Sequence, residues 1–195
     1  MKIILFLMIS SFVFQINFVR AQGDYIITTA NDTLRGEVTR PLIGKPRFKE
    51  TGKTQSIPIT IKSAKEYFRV KSLNKHETFV AKALPGKSKL IFLEQLEDGR
   101  LQLFLLANKT QGMSFGGVAP VMSSNSSNTW YISKDGGPLK TIKTSGLSFS
   151  RAEKEANFKE MLGDNTALWS KFEVESDFSF DTLRKYIVLY NKEKK

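Results

Sequence analysis

Residues 89–106 constrain the fold more tightly than any other stretch. The runs 89–95 and 101–106 are rich in Leu, Ile and Phe, and Glu97-Asp98-Gly99 lies between them. Asp-Gly is the strongest short hairpin signal, because tight turns need positive φ near their centre and Gly, Asn and Asp tolerate it best. Two strands joined this way pair antiparallel, so the middle of the chain is expected in an antiparallel sheet.

The same pattern recurs on either side. Residues 25–29 are β-branched and aromatic, Ala30-Asn31-Asp32 is turn chemistry, and Leu34, Gly36 and Val38 alternate with Arg35 and Glu37. This reads as a hairpin. Pro41 and Pro46 bracket a loop. Residues 47–49 predict a short strand and 57–61 another, which Pro58 confines to a sheet edge because proline has no N–H for the ladder. The stretch 64–70 fits a helical turn or a strand, and 77–83 alternates as a strand does. Residues 107–129 are rich in Gly, Ser, Asn and Met and are expected as a long flexible loop. The runs 130–133 and 139–143 then make a further hairpin across Lys134-Asp135-Gly136-Gly137.

After residue 143 the period changes from two to 3.6. Ser150-Arg151-Ala152-Glu153 is a capping box, and the helix it opens is expected to stop at Gly163. Leu168, Trp169 and Phe172 suggest a second short helix. Leu183, Tyr186, Ile187 and Tyr190 fall at i, i+3, i+4 and i+7, one face of a third. The polar stretch 191–195 is expected to fray. The aromatic residues Phe158, Trp169, Phe172, Phe178, Phe180, Tyr186 and Tyr190 are expected in the core. Strands followed by helices predict an α+β fold, with an antiparallel, β-rich N-terminal two-thirds (22–143) and a short helical segment (144–192) packed on it. Residues 22–195 are expected to form one domain, of a size that buries a real core.

The start of the chain reads as an export signal. Lys2 precedes an apolar run broken by Ser10 and Ser11, and Val19 and Ala21 suit the signal peptidase positions before Gln22. Residues 1–21 are therefore expected to be removed. The alternative, a retained anchor helix, would carry Gln15 and Asn17 in its last third. No other stretch is long and apolar enough to span a bilayer. The sequence has no Cys, so disulfides, thiol catalysis and thiolate metal sites are out. Between Arg35 and Leu90 fourteen basic residues stand against four acidic ones, whereas 151–195 is balanced at nine of each. A one-signed surface attracts polyanions. The competing reading is a solvated, lysine-rich face that keeps the protein soluble.

Gly23-Asp24-Tyr25-Ile26-Ile27, followed by Asp32-Thr33-Leu34-Arg35-Gly36-Glu37-Val38, resembles the start of a family of uncharacterised exported proteins of Bacteroidetes, in which a GYI…DT-x-x-G hairpin follows the signal peptide. Phe92-Leu93-Glu94-Gln95-Leu96 with Gly99 and 101–104 are similar too, as are Leu162, Asp164, Leu168 and 186–191. The resemblance implies an envelope or secreted location and a β-rich protein with a helical C-terminal part. It implies no reaction and no functional residues.

Three patterns mimic catalytic motifs. Gly112-Met113-Ser114-Phe115-Gly116 spells the nucleophile elbow, but Gly117 and Pro120 follow where a helix should start, and the only His, His76, lies upstream. The order His76, Asp98, Ser114 suits a serine triad, yet Asp98 belongs to a turn. Gly52-Lys53-Thr54 resembles the end of a phosphate loop, but Arg47 stands where its first Gly should be. His76 alone cannot build a metal site and is expected to be an exposed strand-edge residue; no metal or cofactor is expected. Sugar hydrolysis would need paired carboxylates; Glu94, Glu97 and Asp98 are close in sequence, but Glu97 and Asp98 belong to a turn.

The function expected from the sequence is a non-catalytic binding or structural component of the cell envelope: periplasmic, outer-membrane-associated or extracellular. Its expected partners are envelope proteins or anionic glycan or lipid surfaces, with no specific nucleic acid. The basic residues expected to make such contacts are Arg40, Lys45, Arg47, Lys49, Lys53, Lys62, Lys65, Arg69 and Lys71. The alternative is a small extracytoplasmic hydrolase using carboxylates or Ser114.

Overall fold

The structure is a computed structural model, and it describes residues 23–41, 44–72, 74–114, 121–145 and 150–193. The expected leader, residues 1–21, and its expected cleavage point lie outside these. Among the described residues the chain forms ten strands and then three helices: β1 (Tyr25–Thr28), β2 (Thr33–Thr39), β3 (Arg47–Glu50), β4 (Ile57–Pro58), β5 (Ala64–Ser72), β6 (Lys75–Ala83), β7 (Leu90–Glu97), β8 (Leu101–Ser114), β9 (Val121–Lys134), β10 (Lys140–Thr144), α1 (Arg151–Leu162), α2 (Thr166–Glu173) and α3 (Phe180–Glu193). The fold is α+β. One antiparallel sheet runs in the order β10-β9-β8-β7-β6-β5-β1-β2-β3-β4. The ambiguous stretch 64–70 is a strand, held between β1 and β6, and Pro58 sits on the sheet edge.

Close packing sets how β2 lies against β3. A Cβ on Gly36 would lie 2.1 Å from the Lys49 carbonyl oxygen and 2.8 Å from the Phe48 ring, so only glycine lets β2 approach β3 this closely. The carboxylate of Asp24 accepts from Val38 N–H and Val70 N–H, both at 2.8 Å, tying β2 to β5 across the start of β1. The GDYII…DTLRG pattern is thus a backbone fastening.

The expected flexible loop at 107–129 is corrected by the structure. The ladder between β8 and β9 continues from Leu101↔Lys134 to Ser114↔Val121, so the backbone of 107–114 and 121–129 is an extended hairpin. Backbone pairing satisfies these residues' N–H and C=O groups whatever their side chains, which is why a Ser- and Asn-rich composition concealed the strands.

Cross-strand partners share a face. Phe79 opposes Glu94, and Glu94 opposes Leu105, so these three lie on the face that carries the helices. At the helical end of that face, Leu101, Leu103, Trp130, Ile132 and Ile142 pack against Phe158, Leu162, Leu168, Phe172, Leu183, Tyr186, Ile187 and Tyr190. Ser150 caps α1 as expected, its hydroxyl accepting from Glu153 N–H at 3.2 Å. Phe158, Phe172, Tyr186 and Tyr190 are buried, while Trp169, Phe178 and Phe180 pack partly buried around them. A second cluster (Ile26, Val38, Phe48, Ile59, Ala64, Tyr67 and Phe79) holds β1–β3 against β5 and β6. On the opposite face Leu93, Phe104, Tyr131 and Leu139 form a third.

Candidate functional site

Between the N-terminal cluster and the helices the sheet leaves a cleft of about 750 Å³, walled by Tyr67, Phe79, Phe92 and Leu105, with Arg40, Arg69, Lys71, Glu77 and Glu94 on its rim and floor. A second cavity of about 620 Å³, at the ends of β5–β7, is bordered by the same Lys71, Glu77 and Glu94 and reaches His76, Asp98 and Arg184. Glu77 stands between the two.

Strand register assembles this cluster. Arg69 on β5 lies opposite Glu77 on β6, and Glu94 on β7 lies opposite Phe79, two residues from Glu77 on the same face. Glu77 is 12% exposed at its side chain. It accepts from Arg69 Nη2 at 2.7 Å and Lys71 Nζ at 3.0 Å, and Arg40 Nη1 approaches to 3.9 Å. Burial pulls the Glu77 carboxyl up, but the Lys71 hydrogen bond and the Arg69 charge prevail and hold it below the usual carboxylate range. Glu94 is pushed the other way, first by burial and then by the negative charge of Glu77. Its carboxylate has no hydrogen-bond or ion-pair partner among the described residues. Burial pushes the Tyr67 hydroxyl up to about 12. The Arg40 guanidinium lies 4.7 Å above the Phe79 ring centre, and Tyr67 stacks on Phe79 from within the core, ring centres 4.6 Å apart. Arg69 Nε is buried without a hydrogen-bond partner.

The structure divides the basic residues expected to act together. Arg40, Arg69 and Lys71 converge on the cleft. Arg47 and Lys49 flank buried Phe48 on β3, and the strand alternation turns them to the opposite face. Arg47 Nη2 donates to the Ser56 carbonyl at 2.5 Å, Lys53 pairs with Glu50 at 2.5 Å, and Lys65 donates to Asn31 Oδ1 at 2.5 Å. Lys45, Lys49 and Lys62 are exposed, with no side-chain partner among the described residues. The excess of positive charge is therefore no single patch.

The serine triad does not assemble. Asp98 shapes its turn, accepting from Gln95 at 3.0 Å and Gln102 at 3.3 Å. Ser114 ends the 14-residue strand that begins just after that turn, and an extended strand of that length spans roughly 40 Å. His76 lies at the exposed end of β6, an interior strand of the sheet, and stacks on Phe68 with ring centres 5.4 Å apart. Among the described residues no group of three or more His, Asp and Glu is placed to hold a metal ion.

Sequence reasoning missed Tyr67 and Glu77, and it read Glu94 as a partner of Glu97 and Asp98. Their grouping depends on which strands pair, which only the register supplies. No protein-family model, curated protein or solved structure matches the chain. The likeness to the exported Bacteroidetes family therefore rests on the motifs quoted above.

Proposed function

We propose that this protein is an exported, non-catalytic binding component of the cell envelope, and that it binds through the cleft rather than through its dispersed surface lysines. The observation that carries this reading is the gathering of Arg40, Arg69 and Lys71 around one carboxylate, Glu77, in a cavity of about 750 Å³. That volume falls within the usual range of small-molecule sites, about 300–1,000 Å³. The leader pattern and the family resemblance support export. No helix among the described residues is long and apolar enough to cross a membrane.

The test is retention of envelope-extract components on the immobilised protein, washed at low and at high salt. The double variant Arg40→Glu/Lys71→Glu is expected to lose the material that the wild type retains at low salt, while Arg47→Glu/Lys49→Glu keeps it. Equal loss in both would return the binding to a diffuse basic surface. Loss in neither would remove charge as its basis.

A second reading, a hydrolase, is favoured by one observation: Glu77 and Glu94 are pushed in opposite directions, the arrangement that separates a base from an acid. Against it, Glu77 already accepts from Arg69 and Lys71, and an anion held by two donors is a poor base. Turnover of nitrophenyl glycosides that disappears in Glu94→Gln would establish the hydrolase.

A further inference from the structure

The chemistry of the cleft narrows its ligand, given the reading of that cleft as the binding site. Arg40 and Lys71 are 44% and 58% exposed at their side chains, so each keeps N–H groups beyond those directed at Glu77. Arg69 and Lys71 hold Glu77 directly, Arg40 approaches it, and none of the three pairs the second carboxylate, Glu94. One further anionic group is accommodated there. The Tyr67 ring is buried, but its hydroxyl is not sealed off: it opens on the cleft, and no described residue hydrogen-bonds it. A hydroxyl that opens on a cleft is served by water, which a ligand hydroxyl can replace. Beside it, Glu94 is an equally unpartnered acceptor. An unpaired donor and an unpaired acceptor in one cavity suit a ligand bearing hydroxyl groups. Phe92, Leu105, Pro41 and Pro46 supply apolar wall for the carbon face of a ring.

We propose that the cleft binds an acidic saccharide, with its carboxylate held by Arg40 and Lys71 and its ring hydroxyls by the Tyr67 hydroxyl and Glu94. An inorganic anion would use the cations and leave Tyr67 and Glu94 unpaired. A neutral sugar would leave the excess positive charge unanswered.

Calorimetric titration of the full protein tests this, with trigalacturonate, galactotriose and inorganic sulfate as probes. Trigalacturonate is expected to bind, and galactotriose about tenfold or more weaker, the loss that follows removal of a charged hydrogen-bonding group. Tyr67→Phe, which keeps the ring in the core, is expected to weaken trigalacturonate several-fold, and Arg40→Ala about tenfold. Circular dichroism confirms that each variant is folded. Galactotriose binding as tightly as trigalacturonate, with the cleft variants still active against it, would overturn the acidic class and leave the cleft as the site. Sulfate displacing trigalacturonate with Tyr67→Phe unaffected would reduce the cleft to a plain anion site. Binding that ignores the cleft variants and is lost in Arg47→Glu/Lys49→Glu would remove both the inference and the cleft. No heat of binding up to about 10 mM trigalacturonate overturns the inference, leaving the cleft reading to the salt-wash experiment.

Discussion

Asn191 shows how much one side chain can carry at a junction. Its Oδ1 accepts from Leu101 N–H at 2.9 Å and its Nδ2 donates to the Leu101 carbonyl at 2.8 Å, so α3 supplies the start of β8 with the pair of bonds a neighbouring strand would. A Cβ at Gly99 would meet Asn191 at 2.6 Å, which adds a steric reason to the turn preference for glycine. Leu101 is fully buried, and its main-chain groups would lose these partners in Asn191→Ala. The expected cost is roughly 1–3 kcal/mol in urea unfolding. Asn191→Asp, which keeps the acceptor but turns a second oxygen on the Leu101 and Asp98 carbonyls that Nδ2 now serves, should cost at least as much. A loss under about 0.5 kcal/mol for the alanine variant would mean that solvent replaces both bonds. The sequence placed Asn191 in a fraying tail, because its polarity says nothing about the strand end it meets 90 residues away.

Beyond its base, the arm formed by β8 and β9 pairs only with itself among the described residues. Pairing of β8 with β7 ends at Glu94↔Leu105 and that of β9 with β10 at Thr144↔Thr129, while β8 and β9 pair on to Ser114↔Val121. At the base, Leu101, Leu103, Phe104, Trp130, Tyr131 and Ile132 are buried. A two-stranded ribbon alone is at best marginal in water. Replacing residues 109–126 by Asn-Gly, after the Asn108↔Ser127 pair, should therefore shift Tm by no more than about 3 °C, near 1 kcal/mol for a chain this size. A fall of more than about 10 °C would show that the arm helps hold the domain together. Elements with side-chain periodicity were legible: the 25–38 and 89–106 hairpins, the capped α1, and the Leu183, Tyr186, Ile187, Tyr190 face of α3. The arm was not, since its Ser-, Asn- and Gly-rich sequence carries no strand alternation. The cleft was half legible: Arg40, Arg69 and Lys71 stand out as charge, but Glu77, Glu94 and Tyr67 join them only through the β5–β6–β7 register.

At the scale of the molecule, the central strand β7 touches all three clusters. Phe92 packs on the N-terminal one, Leu93 is buried on the opposite face, and Leu96 packs against the helical one. Loss of either lobe exposes residues the other needs, so unfolding should be a single transition. Acid should drive it. Glu77 is held low by Lys71 and Arg69 against the pull of burial, Asp135 by the Arg100 hydrogen bond, Glu175 by Tyr186 and Lys185, and Asp177 by Ser179 and Thr182. A carboxyl whose folded pKa is depressed stabilises the protein above its ordinary pKa, and that stability is lost as pH falls through the folded value. Glu94 has the opposite sign: raised by burial and by Glu77, it costs stability at neutral pH and relieves that cost when it takes up a proton. Four groups oppose one, so stability should fall from about pH 5 towards about pH 2. Trp130 and Trp169 both belong to the helical cluster and report on it by fluorescence, whereas far-ultraviolet circular dichroism also follows the sheet. The two midpoints are expected to coincide on acid titration. A fluorescence midpoint that clearly precedes the dichroism would mean that the helices leave a surviving sheet. Glu94→Gln should raise Tm at pH 7, and its advantage should vanish below the ordinary carboxylate range, where the wild-type side chain is itself neutral. An advantage that persists there would assign the effect to packing and remove Glu94 as a strained, ligand-ready carboxylate.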